Sequence, residues 1–239
     1  MSLPKLNEIK YEIELPVSKK KITVRPWLVK EEKALMIAKE SGKPNEVADA
    51  IVNILKACSY GEDVEKLPMV DIEYMLLMVK SYSAGEMTTV NIRCNHSKEG
   101  VRCGHISEVD VDLHKEISMT ADEMPNPEIA LTDTISIHMR PPKFEAFRTL
   151  LKDQTVTEMS FETMASSIEY VINDGEIIRD FTAQEISEFF EGFTKKQLDS
   201  VKKYISGLPK LQVKHTFKCP NCGTVDDFVL ENLFNFFTD

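Results

Sequence analysis

Glycine is scarce in this chain: there are 9 in 239 residues, and no cluster of them could cradle a phosphate. A phosphate loop, a dinucleotide fingerprint, a nucleophile elbow and a His-Glu-x-x-His pair are all missing. Long apolar runs are lacking too. The densest, Tyr74-Met75-Leu76-Leu77-Met78-Val79, is far too short to span a bilayer. The first residues, Met1-Ser2-Leu3-Pro4-Lys5, turn polar at once, so no signal peptide is expected. No stripe of positive charge runs through the sequence, whose net charge is −10 and whose pI is near 5.1. A nucleic-acid binder usually concentrates basic residues on one surface. Here the densest basic run, Lys19-Lys20-Lys21, sits where a hairpin turn is expected and reads as a solvated turn. Acidic residues are many but scattered, and Glu31-Glu32 and Asp226-Asp227 read as solvated faces rather than acid/base pairs. The sequence therefore offers no constellation for an enzyme.

Hydrophobic residues make up 42% and charged residues 28%, the balance of an ordinary globular protein. The length suits one large domain or two small ones with a real core. A chain without a secretion signal is expected in reducing cytosol, or in a particle assembled there. In that setting paired cysteines point to metal rather than to disulfides.

Residues 9–15 alternate apolar and polar, as do residues 22–26, which predicts a hairpin joined through Pro16 to Lys21. Three helices are predicted next. The first covers Lys30 to Ser41 with Gly42 as its C-terminal cap, and the second covers Asn45 to Cys58. The third covers Asp71 to Ser83 with Asp71 as N-cap. Cys58 falls on the apolar stripe of its helix, with Val47, Ile51, Ile54 and Leu55, and reads as core. Strands are predicted over Thr89 to Arg93 and 106–113, and a strand pair over Glu128 to Met139 with Thr132-Asp133 near its turn.

Residues 143–208 read as helical. Lys143 to Lys152 is a short helix, and Phe161, Met164, Ala165, Ile168, Val171 and Ile172 mark the next. Asn173-Asp174-Gly175 is a turn. Thr182 to Glu185 and Thr194 to Gln197 have the form of capping boxes, which suggests two successive helices paired antiparallel. The chain closes with a strand over Gln212 to Lys218, a second alternating stretch, and an apolar tail with Leu230, Leu233, Phe234, Phe236 and Phe237.

Four of the five cysteines share one context. Val90-Asn91-Ile92-Arg93 leads into Cys94, and Cys103-Gly104 leads out. Thr216-Phe217-Lys218 leads into Cys219, and Cys222-Gly223 leads out. Two hairpin tips of this kind can each offer two thiolates to one ion. Glycine after the second cysteine lets the backbone take positive φ and turn its N–H groups towards sulfur. Zinc takes four tetrahedral ligands in structural sites, so the prediction is one structural zinc held by Cys94, Cys103, Cys219 and Cys222. The second pair is C-x2-C, whereas the first is C-x8-C because residues 95–102 are inserted. His96 or His105 could replace a neighbouring cysteine. His114, His138 and His215 read as ordinary strand or strand-end residues. Four thiolates leave no open position for water or substrate, so such an ion is a cross-link and not a catalyst. Metal binding supplies on the order of 10 kcal/mol in small zinc modules, enough to offset the closure of a long loop.

The fold class expected is α+β: an N-terminal hairpin plus helices, a discontinuous zinc ribbon built from two β-hairpins, and a mostly helical insertion. The corresponding units are 1–86, then 87–113 together with 209–239, with 114–208 inserted.

Several stretches resemble a known family. These are Leu3-Pro4-Lys5-Leu6, Tyr11-Glu12-Ile13-Glu14-Leu15-Pro16, and the run from Lys21 through Arg25-Pro26-Trp27 to Lys30-Glu31-Glu32-Lys33. Leu67-Pro68-Met69-Val70-Asp71-Ile72-Glu73-Tyr74, Ser83-Ala84-Gly85-Glu86, the paired cysteines and the tail from Leu230 to Phe237 fit as well. The family is that of the baseplate hub subunits of T-even-type (T4-like) contractile-tailed phages. The resemblance covers most of the chain and is best over the first ninety residues. It implies a structural or assembly role in the baseplate hub, with other hub and tail proteins as partners. The expected location is the virion baseplate, or host cytoplasm during assembly, with no specific nucleic acid and no membrane. The competing reading is a zinc-ribbon nucleic-acid-binding regulator, for which Lys214 and Lys218 beside the second knuckle speak. Asp226, Asp227 and Glu231 on the same ribbon speak against it.

Overall fold

A computed structural model describes residues 7–85, 87–98, 100–146 and 155–231. Strands β1 (Tyr11–Glu14) and β2 (Lys21–Val24) form the N-terminal hairpin, paired Ile13 to Ile22. Helices α1 (Val29–Glu40), α2 (Pro44–Cys58) and α3 (Met69–Ala84) follow. Gly42, with φ of 67°, sits just past α1, where only a residue without Cβ turns the chain cheaply.

The run that carried the family resemblance has a structural meaning. Arg25 Nη2 donates to Glu31 Oε1 at 2.8 Å, and both residues are buried. The other oxygen of Glu31 accepts the Leu28 N–H at 3.0 Å and so closes the first turn of α1. Trp27 between them is buried in the core. Burial pushes the Glu31 carboxyl up, but Arg25 and the Leu28 amide outweigh it and hold the group below the ordinary carboxylate range.

Asp71 is not the N-cap of α3. Pro68 occupies that position, and Asp71 lies fully buried one turn inside. Its two oxygens accept the N–H groups of Val17 and Ser18 at 2.8 and 2.9 Å, which locks the β1–β2 turn onto the helix. A buried carboxylate with two fixed donors is worth more there than as a solvated cap.

Strands β3 (Met87–Arg93) and β6 (Ile106–Asp112) pair in full register, with the two-residue strands β4 (Ser97–Lys98) and β5 (Val101–Arg102) inserted between them. A short helix α4 (Leu113–Glu116) leads to β7 (Ile117–Met119). Near the C-terminus, β12 (Leu211–Lys218) pairs with both β7 and β13 (Val225–Glu231). The N-terminal hairpin, α1 to α3 and the two cysteine-bearing hairpins share one hydrophobic core. Leu15, Ile51, Leu55, Met75, Leu76 and Ile92 are fully buried in it. Cys58 belongs to this core, where burial pushes its thiol up to about 11.

Between β7 and β12 stands a second core. Strands β8 (Glu128–Ala130), β9 (Ile135–Met139), β10 (Ile168–Asn173) and β11 (Glu176–Ile178) form a sheet in the order β11-β10-β9-β8. Helices α5 (Val156–Ser166), α6 (Ala183–Glu191) and α7 (Lys195–Ser206) accompany it. Ile137, Met139, Met164, Ile168, Phe190 and Val201 meet there.

Two sequence expectations fail in this region. Ile168, Val171 and Ile172 do not continue the helix marked by Phe161 and Met164 but form β10. The run Ile-Glu-Tyr-Val-Ile is β-branched and aromatic, which suits a pleated surface. The turn at Asp174 and Gly175, with φ of 48° and 84°, is the tight hairpin turn between β10 and β11. The second failure concerns α6 and α7, which pack on α5 rather than chiefly on one another. Their capping boxes are present as predicted, Thr182 with Glu185 and Thr194 with Gln197. Of the helix expected over Lys143 to Lys152, residues 144–146 make a helical turn and the rest lies outside the described residues. Leu230 packs against the first core. Leu233, Phe234, Phe236 and Phe237 lie outside the described residues.

Candidate metal centre

The four cysteines singled out in the sequence converge. Their sulfurs all lie within 4.8 Å of one another. Cys94 Sγ stands 3.6 Å from Cys222 Sγ, and Cys103 Sγ stands 3.8 Å from Cys219 Sγ. No disulfide joins any of them. Cys94 and Cys219 are buried, Cys103 is half-buried and Cys222 is exposed.

The two hairpin tips are built on one plan. The Cys94 N–H donates to the His105 carbonyl at 2.8 Å, and the Cys219 N–H donates to the Thr224 carbonyl at 2.9 Å. The Gly104 N–H donates to the Cys94 carbonyl at 3.1 Å, and the Gly223 N–H donates to the Cys219 carbonyl at 2.9 Å. Gly104 and Gly223 have φ of 61° and 72°, the left-handed turn that aims the following amide back at sulfur. Cys94 therefore corresponds to Cys219, and Cys103 to Cys222. The inserted residues between Cys94 and Cys103 leave this plan intact because β4 and β5 fold them into a hairpin of their own. That hairpin closes with the Cys103 N–H on the His96 carbonyl at 2.8 Å.

Hydrogen bonds to sulfur divide the thiols. The Thr224 hydroxyl, then its backbone N–H, stabilise the Cys222 thiolate and hold that thiol down to about 6. The Asn221 side chain, at 3.3 Å, and the His105 amide lower Cys103. The His96 amide pulls Cys94 down. Burial and the three neighbouring thiols outweigh it and push Cys94 up to about 12. Four negative sulfurs this close repel one another, and a divalent cation among them removes that repulsion. A tetrahedral ion with sulfur ligands at about 2.3 Å sets its ligands about 3.8 Å apart. The separations of 3.6 and 3.8 Å match that spacing and the rest lie within 4.8 Å, so the four cysteines could hold a metal ion.

Neither the His96 nor the His105 imidazole joins the cluster, among the described residues; both take part through their backbones. His114 Nε2 meets the Ser81 hydroxyl at 2.7 Å, and His138 stacks on Tyr170. His215 Nδ1 pairs with Glu116 at 2.7 Å, which ties α4 to β12. Sequence reasoning missed Asn221 and Thr224 as donors to sulfur. Their places within and just after C-x2-C-G were the available signal.

An α+β protein with small hairpin sheets and a tetracysteine cluster able to hold a metal is the class that fold and site define. No helix among the described residues is long and apolar enough to cross a membrane. The chain belongs to the T4 bacteriophage base plate protein family, whose family model matches residues 7–238. A structural role in a phage baseplate, alongside other tail proteins, follows from that membership. Neither the curated proteins nor the solved structures contain a match to this chain.

Proposed function

We propose that the protein is a baseplate hub component, either a permanent subunit or an assembly factor. It acts by docking on other hub proteins, and one structural zinc on Cys94, Cys103, Cys219 and Cys222 stiffens it. The observation that carries this reading is the closed set of four sulfurs joining two hairpins 116 residues apart in sequence. An ion held there has no vacant position for substrate, so its work is mechanical. A rigid ribbon lowers the ordering cost of association with neighbours. The same reading treats 1–86, 87–113 with 209–239, and 114–208 as the working units, the last held at both ends by the ribbon, with its part 143–208 offering the partner surface. A regulatory nucleic-acid role is less well supported. Lys214 and Lys218 are exposed on β12, but Asp226 and Asp227 face their strand from β13. Affinity purification of the tagged chain from infected cells tests the reading. Recovery of hub or tail-tube-initiating proteins is expected; recovery of host polymerase or DNA with no tail protein refutes it. Metal analysis should give about one zinc per chain.

A further inference from the structure

Helices α6 and α7 carry opposite charge on their outward faces. On α6, Glu185, Glu188 and Glu191 are exposed, and the helical period places them within an arc of about 120°. On α7, Lys195, Lys196, Lys202 and Lys203 are exposed, again within about 120°, while Val201 and Tyr204 turn into the core. Asp199 is the only acidic residue of α7, so that helix carries four positive charges against one negative, in a chain whose net charge is −10. Glu185 accepts from the Thr182 N–H and hydroxyl, and Glu188 accepts from Gln184. Among the described residues none of the seven charged side chains meets an opposite charge. Only residues 192–194 separate the two helices, and both pack on α5.

Exposed faces of opposite charge on two consecutive helices can complement each other between two copies. A two-fold axis that sets α6 of one copy on α7 of another repeats the same contact twice and closes the assembly. We propose that this surface binds a second copy of the chain, with α6 of each protomer against α7 of its partner. A nucleic acid suits the surface less well, because the carboxylates of α6 repel phosphates brought to α7. Exposed ion pairs are individually weak and screened by salt, so the contact is salt-sensitive. This inference goes beyond hub docking and is independent of the metal.

Sedimentation of the purified full chain at tens of micromolar tests it. A dimer is expected at about 0.05 M salt and a monomer at about 0.5 M. The pair Lys196→Glu with Lys203→Glu should be monomeric at low salt, and so should Glu188→Lys with Glu191→Lys, which spares the capping Glu185. Mixing the two variants should restore a heterodimer, because each then offers what the other lacks. Circular dichroism checks that both are folded. A wild-type chain that stays monomeric at low salt, a dimer that survives either reversal, or a mixture that fails to associate overturns the proposal. So does a low-salt monomer that instead retains duplex DNA through α7.

Discussion

Stripping the metal from the proposed zinc site should lower the stability of the whole protein by an amount that the chain topology sets. Cys103 and Cys219 lie 116 residues apart, so an ion on both closes a loop of that length. The chain-entropy relation for a cross-link gives about 5 kcal/mol for such a loop. Unfolding entropy of about 2.1 cal/mol/K per residue scales to roughly 0.5 kcal/mol/K for a chain of this length. The loss therefore corresponds to a fall of about 10 °C in Tm. Calorimetry of the purified protein, with and without a strong chelator, reads this directly. Cys219→Ser should melt near the chelated wild type and respond no further to chelator. Cys58→Ser should also melt lower, because it buries a hydroxyl in the core, yet it should keep its metal and its full chelator response. A wild-type Tm that chelation moves by less than about 2 °C would refute the cross-link, since it would leave the long loop closed by protein contacts alone.

Gly104→Ala and Gly223→Ala should each cost about 1–2 kcal/mol, read by denaturant unfolding, because both glycines sit at positive φ with open space where a Cβ would go. Ile137→Ala should cost about 2–5 kcal/mol by opening a cavity in the second core, where Ile137 is fully buried. Glu31→Gln should cost about 3 kcal/mol at neutral pH by leaving buried Arg25 without its close carboxylate, with only the more distant Glu8 at 3.8 Å and the Pro26 carbonyl remaining. Glu31 is held below its ordinary value in the folded state, so the stability it contributes is full above the unfolded carboxyl's pKa. It fades as pH falls through the folded value, and the gap between wild type and variant should narrow on acidification. In a binding titration at physiological salt, the protein should show no tight, steeply salt-dependent affinity for duplex DNA.

The convergence of the four cysteines was legible because it needed only local signals: a strand ending in cysteine and a Cys-Gly step, each present twice. The N-terminal hairpin and α1 to α3 were legible from periodicity, to within a residue or two at most ends. Less could be read of the second core. A helical period through Phe161, Met164 and Ala165 runs on without a break into Ile168, Val171 and Ile172, and no proline or glycine marks the change of state at Ser167. The switch is tertiary: Ile168 and Val171 pair with β9, a strand already visible from its own alternation. Asp71 was misplaced for a related reason. A carboxylate ahead of an apolar helix looks like a cap, and nothing local reveals the two amides more than fifty residues away that claim it.

The distance between the two knuckles also has a meaning in time. A ribosome adding about 5–20 residues per second makes Cys103 roughly 6–23 s before it makes Cys219. Throughout that interval only two of the four thiols, Cys94 and Cys103, are there to meet a metal. Everything between the knuckles, including the second core, emerges and can fold while the ribbon is still open. Closure must wait until Cys219 and Cys222 have been made, and a product truncated between the knuckles would be left with two unmatched thiols.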